Sequence, residues 1–246
     1  MATNGSTPDV PEPFTGIPAE AFDFYDALAA DPTKSWWQAH KQDYLREVRA
    51  PLIALGAELA PEFGEPHLYR PYRDVRFAKD KSPYKDHQGL FTQYRNGLGW
   101  YLQLSAHGLM VAGGWYTSTT EQVARYRAAI DEGAGDLLEG YLKDLRKAGF
   151  TIGGEQLKSR PRGVSADHPQ LELLRYRSIY ARRDWQPAAW MGTRAAASRV
   201  AKAWRAMSPW LQWLADVVGP GEAPLGSRAR TSSRAAGSRT GGQDGL

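Results

Sequence analysis

The sequence predicts a single α+β domain, an antiparallel meander sheet packed by several helices, and three observations point there. Asn96-Gly97 separates two stretches of alternating apolar residues, the pattern of a two-residue hairpin. Two capping-box spacings, Ser35 with Gln38 and Thr119 with Gln122, open apolar stripes on either side of that hairpin. A last stripe, Val200, Trp204, Met207, Leu211, Leu214 and Val218, advances in steps of four and three, the period of a helix with one buried face.

Taken in order, the first helix is expected to begin at Pro18 and stop at Asp31-Pro32, carrying Phe22, Tyr25 and Leu28 inward. The second follows Ser35 through residues 36–48, with a kink at Pro51 before Leu52, Leu55 and Leu59 continue its stripe. A strand near residues 72–77 is expected to precede the hairpin of residues 90–95 and 98–104. His107-Gly108 makes the next turn, and Leu109 and Val111 alternate into Gly113-Gly114-Trp115. Helices return from Thr119 to Ile130 and from Asp136 to about Gly149, and residues 175–180 read as a late strand. The last helix is expected from Pro187 onward, restarting at Ser208-Pro209 as N-cap and first helical residue. Trp190, Trp204, Trp210 and Trp213 fall on its helical stripe and are assigned to the core.

Residues 1–13 are polar and proline-rich, and residues 220–246 are built of Gly, Ser, Ala, Arg and Thr. Neither can offset its ordering entropy by burial, so both are expected to be disordered tails flanking one domain at 14–219. The chain has no cysteine, which leaves out disulfides, thiolate metal sites and cysteine nucleophiles. No secretory signal pattern or membrane-length apolar run is present, so a cytoplasmic setting and no membrane partner are expected. The net charge is +4, and the two tails carry −2 and +2, so the excess belongs to the body.

Chemistry is densest in residues 70–85, RPYRDVRFAKDKSPYK, with six basic and two acidic side chains. Arg70, Arg73, Arg76 and Lys79 recur every third residue, which stripes neither a helix nor a strand and instead predicts convergence from a bent segment. Arginine forks hold phosphate or carboxylate, lysines add point charge, and Asp74 and Asp80 are the candidates for acid–base work. The same residues also fit a solvated basic face in which Asp74 and Asp80 pair with their neighbours. A second basic cluster, Lys158, Arg160 and Arg162, precedes Asp167-His168-Pro169 and Arg175, and is expected to complete the same pocket or to form a capped loop.

The run RDVRFAKDKSPYK from Arg73 to Lys85 resembles the signature of a conserved hypothetical family called domain of unknown function 2461. Supporting resemblances are Phe14 to Pro18, Trp36-Trp37 with Tyr44 and Pro51, Gly113-Gly114-Trp115, Arg125, residues 158–163 and Asp167-His168-Pro169, spanning about residues 14–218. Trp37 stands where that family commonly has phenylalanine and Ala78 where it commonly has serine. The resemblance implies no established activity.

The expected ligand is therefore a phosphorylated or otherwise anionic small molecule. The ligand-binding candidates are Arg73, Arg76, Lys79, Lys81, Tyr84, Lys85, Arg125, Arg160, His168 and Arg175. Nucleic acid is the alternative, because Tyr69, Tyr72, Phe77 and Tyr84 interleave with the basic residues, and a noncatalytic module docking an acidic protein is the third. No cofactor is expected: the chain has no Walker loop, no GxGxxG and no GxSxG. The five histidines show no metal-ligand spacing, so no metal is expected either.

Overall fold

A computed structural model describes residues 12–73, 76 and 82–221. Its centre is a six-stranded antiparallel sheet ordered β1-β2-β3-β4-β6-β5. The strands are β1 Pro66–Leu68, β2 His87–Gln93, β3 Leu98–Ser105, β4 Gly108–Trp115, β5 Thr151–Gly153 and β6 Ile179–Trp185. β2, β3 and β4 form the expected meander. Asn96 (φ 54°) and Gly97 (φ 84°) both take the left-handed backbone that a tight hairpin turn needs, and Tyr94 N–H donates to the Leu98 carbonyl across it at 2.9 Å.

The helices are α1 Glu20–Ala30, α2 Lys34–Asp43, α3 Ala50–Phe63, α4 Thr120–Ala129, α5 Gly135–Lys147, the single turn α6 Leu171–Leu174 and the long α7 Ala195–Val218. Side-chain alternation decides where they sit. Leu90, Leu102, Leu104, Leu109, Val111 and Ile179 project from one sheet face and are buried there under α3, α7 and α1. Gly113 lets α7 come close: a Cβ there would meet the Met207 sulfur at 3.0 Å and Leu211 at 3.4 Å. The opposite face carries His67, Phe91, Tyr101, Gln103, Met110, Tyr180 and Arg182.

Several expected elements are corrected by tertiary packing. The second helix is capped by Thr33, whose hydroxyl accepts from Trp36 N–H, so the Ser35/Gln38 box is not used. Near Pro51, where a kink is expected, a π-helical stretch, Tyr44–Arg49, joins α2 to α3 and places Pro51 in the first turn of α3, where its missing N–H costs least. Pro209 lies inside an uninterrupted α7, and Ser208 donates to the Trp204 carbonyl (3.1 Å) instead of capping a new helix. The late strand begins four residues beyond the expected start, at Ile179, because Tyr176 makes only an isolated bridge to Gln156. The strand expected near residues 72–77 is represented by an isolated bridge between Tyr72 and Tyr84, while Asp74, Val75 and Phe77 fall outside the described residues. β1 precedes it and β5 pairs with β6, two short strands with too few residues to show a period.

The second capping box is present as expected. Thr119 Oγ1 accepts from Gln122 N–H at 3.3 Å, and Gln122 Oε1 accepts from Thr119 N–H at 3.1 Å. The buried Gln122 does more, because its amide also donates to the carbonyls of Asn96 and Gly219, both at 2.9 Å, tying the hairpin turn to the end of α7. Thr119→Ala is expected to cost about 1 kcal/mol of unfolding free energy. Gln122→Ala should cost about 2–3 kcal/mol, since it strands two carbonyls in a buried setting. Urea denaturation of both variants measures the difference, and equal losses would show that the links to Asn96 and Gly219 contribute nothing.

Of the tryptophans assigned to the core, Trp204 and Trp210 are fully buried, and Trp190 and Trp213 pack partly buried against the same cluster. Among the described residues, no helix is long and apolar enough to cross a membrane.

Candidate functional site

The basic signature leaves and rejoins the fold at one place. Arg73 N–H donates to the Pro83 carbonyl (2.9 Å) and Lys85 N–H to the Pro71 carbonyl (2.8 Å), flanking the Tyr72–Tyr84 bridge, so the segment is pinned at its root like a hairpin. The root is held against the helices by stacking. Tyr84 is buried with its ring 4.3 Å from that of Trp37 at an interplanar angle of 10°, and Trp37 in turn touches Tyr44 and Phe24. Tyr84, expected to line a ligand site, is thus placed as a packing residue of the root.

The sequence of the root concentrates positive charge. Burial, followed by the neighbouring charges of Arg70 and Arg73, lowers the pKa of the Lys85 ammonium below its ordinary value. Lys85 Nζ stands 5.3 Å from the centre of the Tyr69 ring. Asp86 is the local counter-charge, its carboxylate accepting from His87 Nδ1 at 2.7 Å and lying 3.8 Å from an Arg73 nitrogen. Burial pushes the Asp86 carboxyl up, but the hydrogen bond and charge of His87, with its own backbone and Arg73, hold it below the usual carboxylate value.

Two depressions meet at this root and share Tyr69 as a wall. The first, a cleft of about 570 Å³, lies between the α2–α3 helix and β1 and is lined by Trp37, Lys41, Tyr44, Arg49, His67, Tyr69, Arg70 and Tyr72 among others. No carboxylate lines it among the described residues. The side chains of Lys41, Arg49 and Arg70 have no ion-pair or hydrogen-bond partner among the described residues. Tyr44 anchors the cleft wall by donating to Gln88 Oε1 at 2.7 Å, and burial, opposed by Arg49, pushes its hydroxyl up to about 12. The second depression, of about 430 Å³, lies on the uncovered sheet face between Tyr69, Phe91, Tyr101 and Tyr116.

The other expected site residues are dispersed. Arg76 is exposed, and Lys79, Lys81, Asp74 and Asp80 fall outside the described residues. Arg125 caps the end of α7, donating to the carbonyls of Val218 (2.6 Å) and Pro220 (2.5 Å). His168 pairs with Asp131 at 3.2 Å and accepts from Gln170 N–H, while Arg175 binds Glu172 and the Leu157 carbonyl. Arg160 is exposed on the loop that precedes them. None of these four lines the cleft or the groove. The loop of Arg160 and Arg175 follows β5, at the opposite sheet edge from β1, five strand spacings or roughly 24 Å away. It therefore does not complete the pocket at the signature root.

Sequence reasoning missed Lys41, Arg49, Tyr101 and Tyr116. Lys41 and Arg49 sit on one helix segment eight residues apart, two helical turns and so on one side, which was a legible signal. Tyr101 alternates with the buried Trp100 and Leu102, which assigns it to the other sheet face. Among the described residues, no group of three or more His, Asp or Glu could hold a metal ion.

No curated protein and no solved structure matches the chain. Residues 20–213 do match a family described as "Conserved hypothetical protein (DUF2461)", and that span includes the signature, both depressions and most of the core, so the chain belongs to this family.

Proposed function

We propose that this protein binds a phosphorylated or otherwise anionic small molecule at the root of the basic signature. The observation that supports this reading most is the cleft of Lys41, Arg49 and Arg70, three cations without a carboxylate among the described lining residues and with aromatic walls. Cations left uncompensated in a concave, partly desolvated setting repel one another, and an anion relieves that repulsion while gaining charge-assisted hydrogen bonds. Arg73 and Lys85 extend the positive field onto Tyr69, from which the signature proper continues. Asp74 and Asp80 remain the sequence's candidates for any proton transfer, and no chemical step is assigned to them.

Calorimetric titration with inorganic phosphate and pyrophosphate tests the proposal. Binding is expected to tighten from the first to the second, and the melting temperature to rise with the logarithm of anion concentration once it exceeds the Kd. The affinity should also depend on pH through Lys85. Because its pKa is lowered, the ammonium discharges below the ordinary lysine range, so binding weakens as pH rises toward that range, and Lys85→Arg moves the loss to higher pH. Titrations that show no heat and no thermal shift with either anion at low ionic strength would remove this reading.

Tyr69 (37% exposed) and Tyr72 (46% exposed) beside these cations favour a second reading, single-stranded nucleic acid stacked on the rings. It requires that affinity for mixed oligonucleotides fall steeply with salt and exceed that for pyrophosphate.

A further inference from the structure

The uncovered face of the sheet holds a feature that an anion site alone does not need. Its centre is a set of rings on β2, β3 and β6 and just past the ends of β1 and β4: Tyr69 is 6.4 Å from Tyr101, Phe91 is 6.1 Å from Tyr116, and Tyr116 stacks on Tyr180 at 5.9 Å. Glycines let these rings lie flat on the backbone. A Cβ on Gly89 would meet the Tyr101 hydroxyl at 2.5 Å, and one on Gly99 would run into the Phe91 ring. The result is an aromatic floor with a cavity of about 430 Å³ above it, within the range of small-molecule pockets.

Two polar groups in this floor differ in their state. Tyr101 donates to Gln103 Oε1 at 3.1 Å and is satisfied, its pKa pushed up to about 12 by burial and then by Tyr69 and Asp86. The Tyr116 hydroxyl is buried without a hydrogen-bond partner among the described residues, a state that costs free energy unless something else supplies an acceptor. The groove opens at Tyr69, the wall it shares with the cationic cleft, where Lys85 stands over the same ring.

We infer that the ligand is an anionic heteroaromatic compound, its flat ring lying on the Tyr101–Phe91–Tyr116 floor and its phosphate or carboxylate across Tyr69 in the Lys41–Arg49–Arg70 cleft. The ring offers a π-face to the aromatic floor and an acceptor edge, a ring nitrogen or a ring carbonyl, to the Tyr116 hydroxyl. The inference rests on the anion-binding reading and adds to it the class of molecule that carries the anion. Tyr69, stacked between the two compartments, then separates the ring subsite from the charge subsite.

Four probes separate the two ideas: inorganic phosphate, phenyl phosphate, a set of nucleoside monophosphates and the corresponding neutral nucleosides, each titrated into wild type, Tyr116→Phe and Tyr101→Leu. The expected result is that at least one nucleoside monophosphate binds about tenfold or more tightly than inorganic phosphate, with phenyl phosphate between them. Tyr116→Phe should bring that nucleotide's affinity down to that of phenyl phosphate, and Tyr101→Leu should weaken both ring compounds while leaving inorganic phosphate unchanged. Equal affinity for all three phosphates would overturn the ring subsite and leave the anion site standing. Nucleosides that bind as tightly as their monophosphates would instead overturn the anion reading, and with it the inferred class of ligand. Tyr116→Phe is nearly isosteric, so circular dichroism and melting temperature matching wild type keep its result interpretable.

Discussion

Replacing Trp37 by alanine is expected to lower the unfolding free energy by about 3–5 kcal/mol. The side chain is almost wholly buried, stacks on Tyr84, and packs against Tyr44 and Phe24, so its removal leaves a large cavity at the meeting point of α1, α2 and the signature root. Guanidinium denaturation followed by tryptophan fluorescence and circular dichroism measures the loss. Trp37→Phe is the informative companion. The Trp37 indole N–H is buried without a partner among the described residues, so phenylalanine removes an unsatisfied donor while keeping a ring against Tyr84. Its cost should stay below about 1.5 kcal/mol. A loss of under 1 kcal/mol in Trp37→Ala would show that the stack does not anchor the root.

The second large effect is on binding. Arg49→Ala combined with Arg70→Ala is expected to weaken pyrophosphate at least a hundredfold, since each removes a charge-assisted contact worth about 1.5–3 kcal/mol. Neither side chain has an ion-pair or hydrogen-bond partner among the described residues, so stability should change by less than about 1 kcal/mol, with relief of Lys85 acting in the favourable direction. Calorimetry of the double variant gives the first number and chemical denaturation the second. Arg205→Ala serves as the control: it breaks the ion pair with Glu62 that links α7 to α3 and should leave pyrophosphate binding unchanged. Unaltered affinity in the double variant would move the anion away from this cleft.

The pinned root also explains how a segment with a threefold charge spacing is built into an α+β domain. The ends of residues 70–85 are tied by two backbone hydrogen bonds and by the Trp37–Tyr84 stack, so Arg70, Arg73 and Lys85 stand on a fixed base. Positioning of Arg70, Arg73 and Lys85 then depends on helix α2 as much as on the signature itself. A lesion in Trp37 should for this reason weaken anion binding as well as stability, which the same calorimetric titration can register.

By itself the sequence determined the local features whose chemistry is contained within a few residues. The Asn96-Gly97 turn, the Thr119/Gln122 box, the alternation of β3 and the stripe of α7 each follow from backbone preference or side-chain period, and each is found. The α+β class follows from their order along the chain. Pro209 was misread because context overrules propensity: α7 gains enough from burying Trp204, Met207, Trp210 and Leu211 to carry it. Of the candidate site, the sequence located the cations of the signature but not their companions. Lys41, Arg49, Tyr101 and Tyr116 come from helix and strand positions tens of residues away, and Arg125, Arg160, His168 and Arg175 are drawn off to helix ends and the far sheet edge. Only the pairing of β1 beside β2 and the packing of α2 on the signature root decided which charges and rings share a cavity, because a site is a set of distances, and long-range distances are fixed by how the buried surfaces fit together.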